Sequence, residues 1–287
     1  MNRFENIIKP LMWSTTLLLA AIVAGCGGSG DGVPGAGPGP GPGPVGICSG
    51  TSCVNLGTAA NYVILDEAAV SFTPIAASGV PPTITGNIGV SPVTSTAITG
   101  FTLALDAAKC FSTSTQVTGK LYAADYSTAN GCTAAPDTAT LLTTAVGDKN
   151  TAYTSAAAMA PAGGCPGVGA LGGLTIVPGV YNCPAYTIGT GTNVTLSGAG
   201  VYVFQTAGGL SQAAATSVNL TNGALPQNVF WQVAGVVSIL STAHMEGVIL
   251  SAKNIALGNQ ASVKGRLYGG IGAGTGVAMD ANTVTQP

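Results

Sequence analysis

Residues 229–268 read VFWQVAGVVSILSTAHMEGVILSAKNIALGNQASVKGRLY, and a repeat runs through them. Val237-Ser238-Ile239 returns 18 residues later as Ile255-Ala256-Leu257, and follows Leu210-Ser211-Gln212 by 27 residues. Val218, Met245 and Val263 keep the same two intervals. A further column, Val203, Phe230, Ile249 and Leu267, steps by 27, 19 and 18. A repeat of 18–19 residues, lengthened once around residues 222–227, is the size of one circuit of a β-solenoid. Such a circuit holds about three short strands joined by turns.

Each column predicts a face. Leu210, Val237 and Ile255 alternate with Ser211, Ser238 and Ala256, an apolar interior beneath a small, neutral exterior. Val218, Met245 and Val263 lie between Ser217, His244 and Ser262 on one side and Asn219, Glu246 and Lys264 on the other, a second face with polar groups outside. Val203, Phe230, Ile249 and Leu267 are followed by Phe204, Trp231, Leu250 and Tyr268, so both sides of this strand are apolar and the third face needs a cover. The cover is found in residues 137–160, where Leu142, Ala145, Val146, Tyr153 and Ala156 recur at helical spacing. Asp137 supplies a cap at the start, and Pro161 with Gly163-Gly164 a stop. Gly147 lies within this stretch and costs about 1 kcal/mol relative to alanine, so packing has to support the helix.

Composition narrows the chemistry. Of 287 residues only 8 are Lys or Arg and 10 are Asp or Glu, 6% against about 25% in ordinary soluble domains. So few cations exclude a basic patch for nucleic acid. A lone histidine, His244, excludes a multi-histidine metal centre. With 46% apolar residues the chain is not disordered by charge. A β-rich protein with a neutral, hydroxyl-bearing surface remains.

Residues 1–25 read as an export signal. Arg3 and Lys9 precede the apolar run Leu11–Ala24, which is short for a membrane span. The run ends in Val23-Ala24-Gly25-Cys26, which resembles a bacterial lipobox and implies cleavage before Cys26 and lipid on its thiol. The expected location is outside the cytoplasm, anchored to the bacterial membrane or cell surface, the outer membrane in a Gram-negative cell. Residues 26–53 read as a tether, of which the Gly/Pro-rich part from Gly27 to about Gly46 reaches on the order of 50–60 Å if extended. The folded domain is then 54–287. With Cys26 assigned to lipid, Cys48, Cys53, Cys110, Cys132, Cys165 and Cys183 remain. Six cysteines allow about 15 connectivities, of which pairing between sequence neighbours is the expectation.

Catalytic patterns are weak. His244 and Glu246 point the same way if they lie on a strand, but no Gly-x-Ser-x-Gly elbow accompanies them. Asp66, Glu67, Asp106 and Asp125 lack the spacing of a calcium site or a glycosidase pair. Gly269–Gly274 lacks the Lys-Ser/Thr of a phosphate loop.

Several segments, in order, are similar to a known family: Asn55–Tyr62, Thr85–Pro92, Thr96–Phe101, Leu174–Tyr181, Val229–Val233 and Gly265-Arg266-Leu267. From about Asn55 to Val284 the chain resembles the ice-binding-protein-like family of secreted microbial proteins. The resemblance implies a mostly β fold: a right-handed β-solenoid of roughly triangular section with one long α-helix packed along one face. It also implies that the first circuit lies beside the C-terminal strands. The implied function is adsorption to ice, as in antifreeze and recrystallisation inhibition, by a monomer with no cofactor and no catalysis. Its partners are then the ice surface and, through Cys26, a membrane. Relatives carry Thr-Ala/Gly-x-Thr/Asn on the binding face. On that pattern the implied ice-binding residues are Thr96, Thr99, Thr190, Thr192 and Asn193, and, at the aligned positions of later circuits that depart from the pattern, Thr216, Ser217, Thr242 and Ser262. The Ser211/Ser238/Ala256 face is a second candidate. The alternative function is a structural or adhesive surface module for glycan or protein on a scaffold that has lost ice binding.

Overall fold

The computed structural model describes residues 54–74, 83–272 and 276–287. The segments expected to be an export signal and a tether, with Cys26, Cys48 and Cys53, lie outside them. No helix among the described residues is long and apolar enough to cross a membrane.

The fold is mostly β with one helix. Its strands form three sheets, almost entirely parallel, which the chain visits in turn. One circuit runs from Tyr202–Thr206 on the helix side to Leu210–Gln212 in a seven-stranded sheet, then to Val218–Thr221 in a three-stranded sheet. The next returns to Val229–Val233 and Val237–Ile239. Further along, the strands His244–Ser251 and Ser262–Tyr268 each serve two sides of the circuit. Both bend at a glycine. Gly247 has φ +108°, and a Cβ on Gly265 would collide with the Gly247 carbonyl, so successive circuits turn at one stacked corner.

The 18-residue interval sets the register. Val237 pairs with Ile255, Met245 with Val263 and Ile249 with Leu267. One expected step is displaced: Phe230 pairs with Val248, not Ile249. The interval there is 18 rather than 19. Since strand side chains alternate, this one-residue difference reverses which residues face inward. Phe204, Trp231, Ile249 and Leu267 fill the interior, while Val203, Phe230, Val248 and Leu250 face the helix.

The helix spans Thr138–Ala158. Asp137 accepts the Thr140 N–H at 3.1 Å and caps it. Its buried side is Thr138, Leu142, Ala145, Lys149, Ala152 and Ala156, a 4-3-4-3-4 spacing. At its far end the Gln205 amide donates to the carbonyls of Ala156 and Met159 at 2.7 and 2.8 Å. Twenty-one residues make about 31 Å of helix, close to the span of the strands it covers at roughly 4.8 Å each.

Strand order along the helix side crosses the sequence. Tyr62–Asp66 inserts beside Ser262–Tyr268 and is followed by Asn87–Val90 and Val117–Ala123. The final strand, Thr283–Thr285, lies between Ser262–Tyr268 and Ile84–Thr85. The two chain ends are therefore interleaved. Tyr268 Oη lies 2.6 Å from the Ala59 carbonyl, and Arg266 and Gln286 both donate to Ala60 O.

Sheet ends carry unpaired backbone groups and need protection. At one end Cys165–Cys183 ties the post-helix segment to the terminal strand Gly179–Cys183. At the other, Cys110–Cys132 braces the hairpin Ala104–Leu105/Ser112–Ser114. Both are bonds between sequence neighbours.

Candidate functional site

The seven-stranded sheet has one uncovered side. Parallel pairing aligns Thr187, Ser211, Ser238, Ala256, Ala278, Ser71 and Thr99 into one outward column. All seven are at least partly exposed. Every member is small and uncharged. The column owes its order to the alternation Leu-Ser-Gln, Val-Ser-Ile, Ile-Ala-Leu, whose apolar members are buried beneath it. Of the residues expected from the family pattern, Thr99 belongs to this column. Thr96 is exposed in the turn just before it, its hydroxyl 2.7 Å from that of Thr94.

The other expected residues lie along the corner where this sheet gives way to the next. Each circuit turns there on a residue of positive φ: Gly191, Ala215, Thr242, Gln260 and Ala281. The residue after it closes the turn. Thr192 Oγ1 donates to Gly189 O, and Thr216 Oγ1 to Ala213 O, both at 2.7 Å. Asn282 does the same work with its amide, donating to Gly258 O and Ala261 O. Thr216 is fully buried. Its hydroxyl serves the corner and is not presented outward, contrary to the expectation from the family pattern. Thr190, Thr192, Asn193 and Thr242 remain exposed, and Ser217 and Ser262 are half-buried. Asn193 Oδ1 accepts the Ser217 N–H at 2.8 Å, linking two circuits.

The third side carries Thr195, Asn219, Glu246, Lys264, Thr285 and Thr85 outward, in register. Its centre is charged. His244 Nε2 lies 3.1 Å from Glu246 Oε1, and its Nδ1 2.8 Å from Ser262 Oγ. The shared surface of His244 and Glu246 was legible in their alternation. Ser262 was legible only through the 18-residue repeat, which sets it beside His244. The group lies on the outer side of a sheet, and the Ser262 N–H is engaged by Ala243 O.

The acids do not converge. Asp106 accepts the N–H groups of Ala108, Cys110 and Phe111 and shapes its own loop. Asp125 holds Ser95. Asp66 is buried, accepts from Ala68 and Ala69, and is pushed up from the ordinary carboxylate range by that burial. Among the described residues no group of three or more His, Cys, Asp or Glu could hold a metal ion.

A stack of parallel circuits with an interleaved start, a helix cover and one charge-free column is the setting for comparison with known proteins. Residues 66–285 match the model of the ice-binding-like family. The chain belongs to that family. It is 42% identical over 210 residues to ice-binding protein K1-A of Typhula ishikariensis, covering 71% of this chain and 79% of that one. It is 39% identical to an ice-binding protein of Flavobacterium frigoris (strain PS1), covering 82% and 76%. Among solved structures, an ice-binding protein from an Arctic yeast superposes with a TM-score of 0.71 at 37% identity, covering 83% of this chain and 96% of that one. The family match thus includes both the helix and the seven-stranded sheet.

Proposed function

We propose that this protein binds ice, and that it does so by adsorption through the outer column of the seven-stranded sheet. The single observation that carries the assignment to this face is the lack of charge along its central column of seven residues, beside a third side centred on His244, Glu246 and Lys264; Asp280 stands to one side of that column, paired with Thr73. Strands repeat at about 4.7–4.9 Å, giving a regular row of methyl and hydroxyl groups on a rigid support. Such a row can hold ordered water that continues into a crystal. A charged group binds its own hydration shell and breaks that order. On this reading Thr99 is an ice-contact residue together with Thr187, Ser211 and Ser238. Thr96, Thr190, Thr192, Asn193 and Thr242 border the contact along the edge, and Ser217 and Ser262 lie beyond it.

The three sheets wind as a right-handed solenoid of roughly triangular section. A lipid on Cys26 and the tether of residues 26–53 hold the domain at a cell surface. The Val23-Ala24-Gly25-Cys26 sequence supports this, as do two disulfides that belong to an oxidising compartment. The protein then keeps a cell near ice or restrains recrystallisation around it.

The test is an ice-recrystallisation and crystal-shaping assay on the purified protein, with Ser211→Tyr and Thr195→Tyr compared. Ser211→Tyr should lose activity and Thr195→Tyr should keep it. The reverse pattern would move the site to the third side. Unshaped crystals and normal grain growth at high concentration of every form would remove ice binding altogether.

A further inference from the structure

Two bulky side chains interrupt the otherwise level face of the seven-stranded sheet. Val236 and Leu240 are 48% and 46% exposed, whereas Val237 and Ile239 between them are fully buried. The alternation puts Val236, Ser238 and Leu240 on the same outer side of one strand. Both flanking residues are still in the ladder: Val236 O accepts the Leu210 N–H at 3.0 Å, and Leu240 N–H donates to Gln212 O at 2.9 Å. Their height above the sheet is therefore fixed by backbone pairing.

Extending the strand register by one residue gives their neighbours. Val236 stands between Gly209 and Asn254, and Leu240 between Ala213 and Gly258. Three of these four neighbours are glycine or alanine. Beside Leu240 both neighbours are small, and beside Val236 only Asn254 has a side chain of comparable size. The two residues rise as a pair of posts at the ends of a single strand, with the short Ser238 side chain between them.

We infer that Val236 and Leu240 limit the strength of ice adsorption by holding a crystal plane away from the column they flank. The inference rests on the assignment of that column as the ice-contact face. A soft partner could fold around two posts; a crystal plane cannot. A plane resting on them leaves a gap above Ser211 and Ala256, and water in that gap is not held in the lattice. Shortening both side chains would leave Ser238 among Gly209, Ser211, Ala213, Ala256 and Gly258, with Asn254 the one larger neighbour.

The experiment compares the parent with Val236→Ala/Leu240→Ala and with Val236→Thr/Leu240→Thr, the second pair retaining strand-favouring residues. Ser211→Tyr is added to each background. Val177→Ala, at an exposed apolar residue outside the seven-stranded sheet, controls for loss of surface hydrophobicity. Each form is read by recrystallisation inhibition at graded concentrations, with a thermal melt to match folded protein. Both double variants should arrest grain growth at a several-fold lower concentration than the parent, and Val177→Ala should match the parent. Double variants equal to or weaker than the parent, with Ser211→Tyr still abolishing activity, would overturn the role of the posts and leave the face assignment standing. Full activity of Ser211→Tyr in every background would remove the face assignment and this inference together.

Discussion

Lys149 Nζ lies 2.9 Å from Glu67 Oε1, joining the middle of the helix to the first circuit of the chain. The same ammonium donates to Gly269 O at 2.7 Å, near the last circuit. Lys149 is fully buried, and burial pulls it down from the ordinary lysine range against the opposing pull of Glu67. One side chain therefore fastens three separated segments.

Removing it leaves Glu67 without its ion-pair partner and the Gly269 carbonyl without its Lys149 donor. Lys149→Ala should lower the unfolding free energy by about 3–5 kcal/mol. Glu67→Gln in the same chain should recover part of that loss. The measurement is denaturant unfolding of the two single variants and the double. Additive losses would show that the pair is not coupled.

The position of Lys149 also marks the limit of what sequence could reveal. The helix, its Asp137 cap and its apolar stripe were readable, because each rests on local spacing. A lysine on the buried side was not, because its partners stand 82 and 120 residues away in sequence. The two neutral and polar faces were readable from the 18-residue repeat. The helix-side register was displaced by one residue at Phe230, where apolar residues flank the column on both sides and give no contrast to set the phase. The interleaving of the chain ends came only from family resemblance, since no local pattern specifies which distant strand will be a neighbour. For the site, the small-residue column was visible, whereas the burial of Thr216 needed the turn geometry.

Thr216 provides a direct separation of structural and contact roles. Thr216→Val removes the donor to Ala213 O while keeping the side chain's shape. Stability should fall by about 1–3 kcal/mol, the cost of an unsatisfied buried group. Ice-recrystallisation inhibition per folded molecule should be unchanged. Loss of activity at full folding would mean that this corner contributes to the contact.

Thr242 holds a β-branched side chain at φ +59°, in the left-handed region. Asparagine tolerates that conformation better. Thr242→Asn should raise the unfolding free energy by about 1 kcal/mol, measured by chemical denaturation. A loss would show that the exposed Thr242 side chain has a stabilising role greater than its backbone strain.

Asp137 is held down to about 2 by the N–H groups and hydroxyls of Thr128 and Thr140. A carboxyl lowered in the fold stabilises it above the unfolded value of 3.8, and that contribution disappears as pH falls toward about 2. Asp137→Ala should therefore melt at lower temperature than the parent at pH 7. The gap should close between about pH 4 and pH 2, as thermal melts across that range will read. A gap independent of pH would assign the loss to packing instead.

The interleaved chain ends bear on how the protein comes to exist. In a simple repeat array each unit leans on the one made just before it, so folding can follow synthesis. Here Ile84–Thr85 waits for Thr283–Thr285, a strand made far later in synthesis. Tyr62–Asp66 likewise waits for Leu267 and Tyr268. Until then the first circuit stands in a nascent chain with an unpaired edge and apolar residues open to other chains. On the proposed export signal, folding after export would remove that hazard and would place the closing step where the two disulfides form with it.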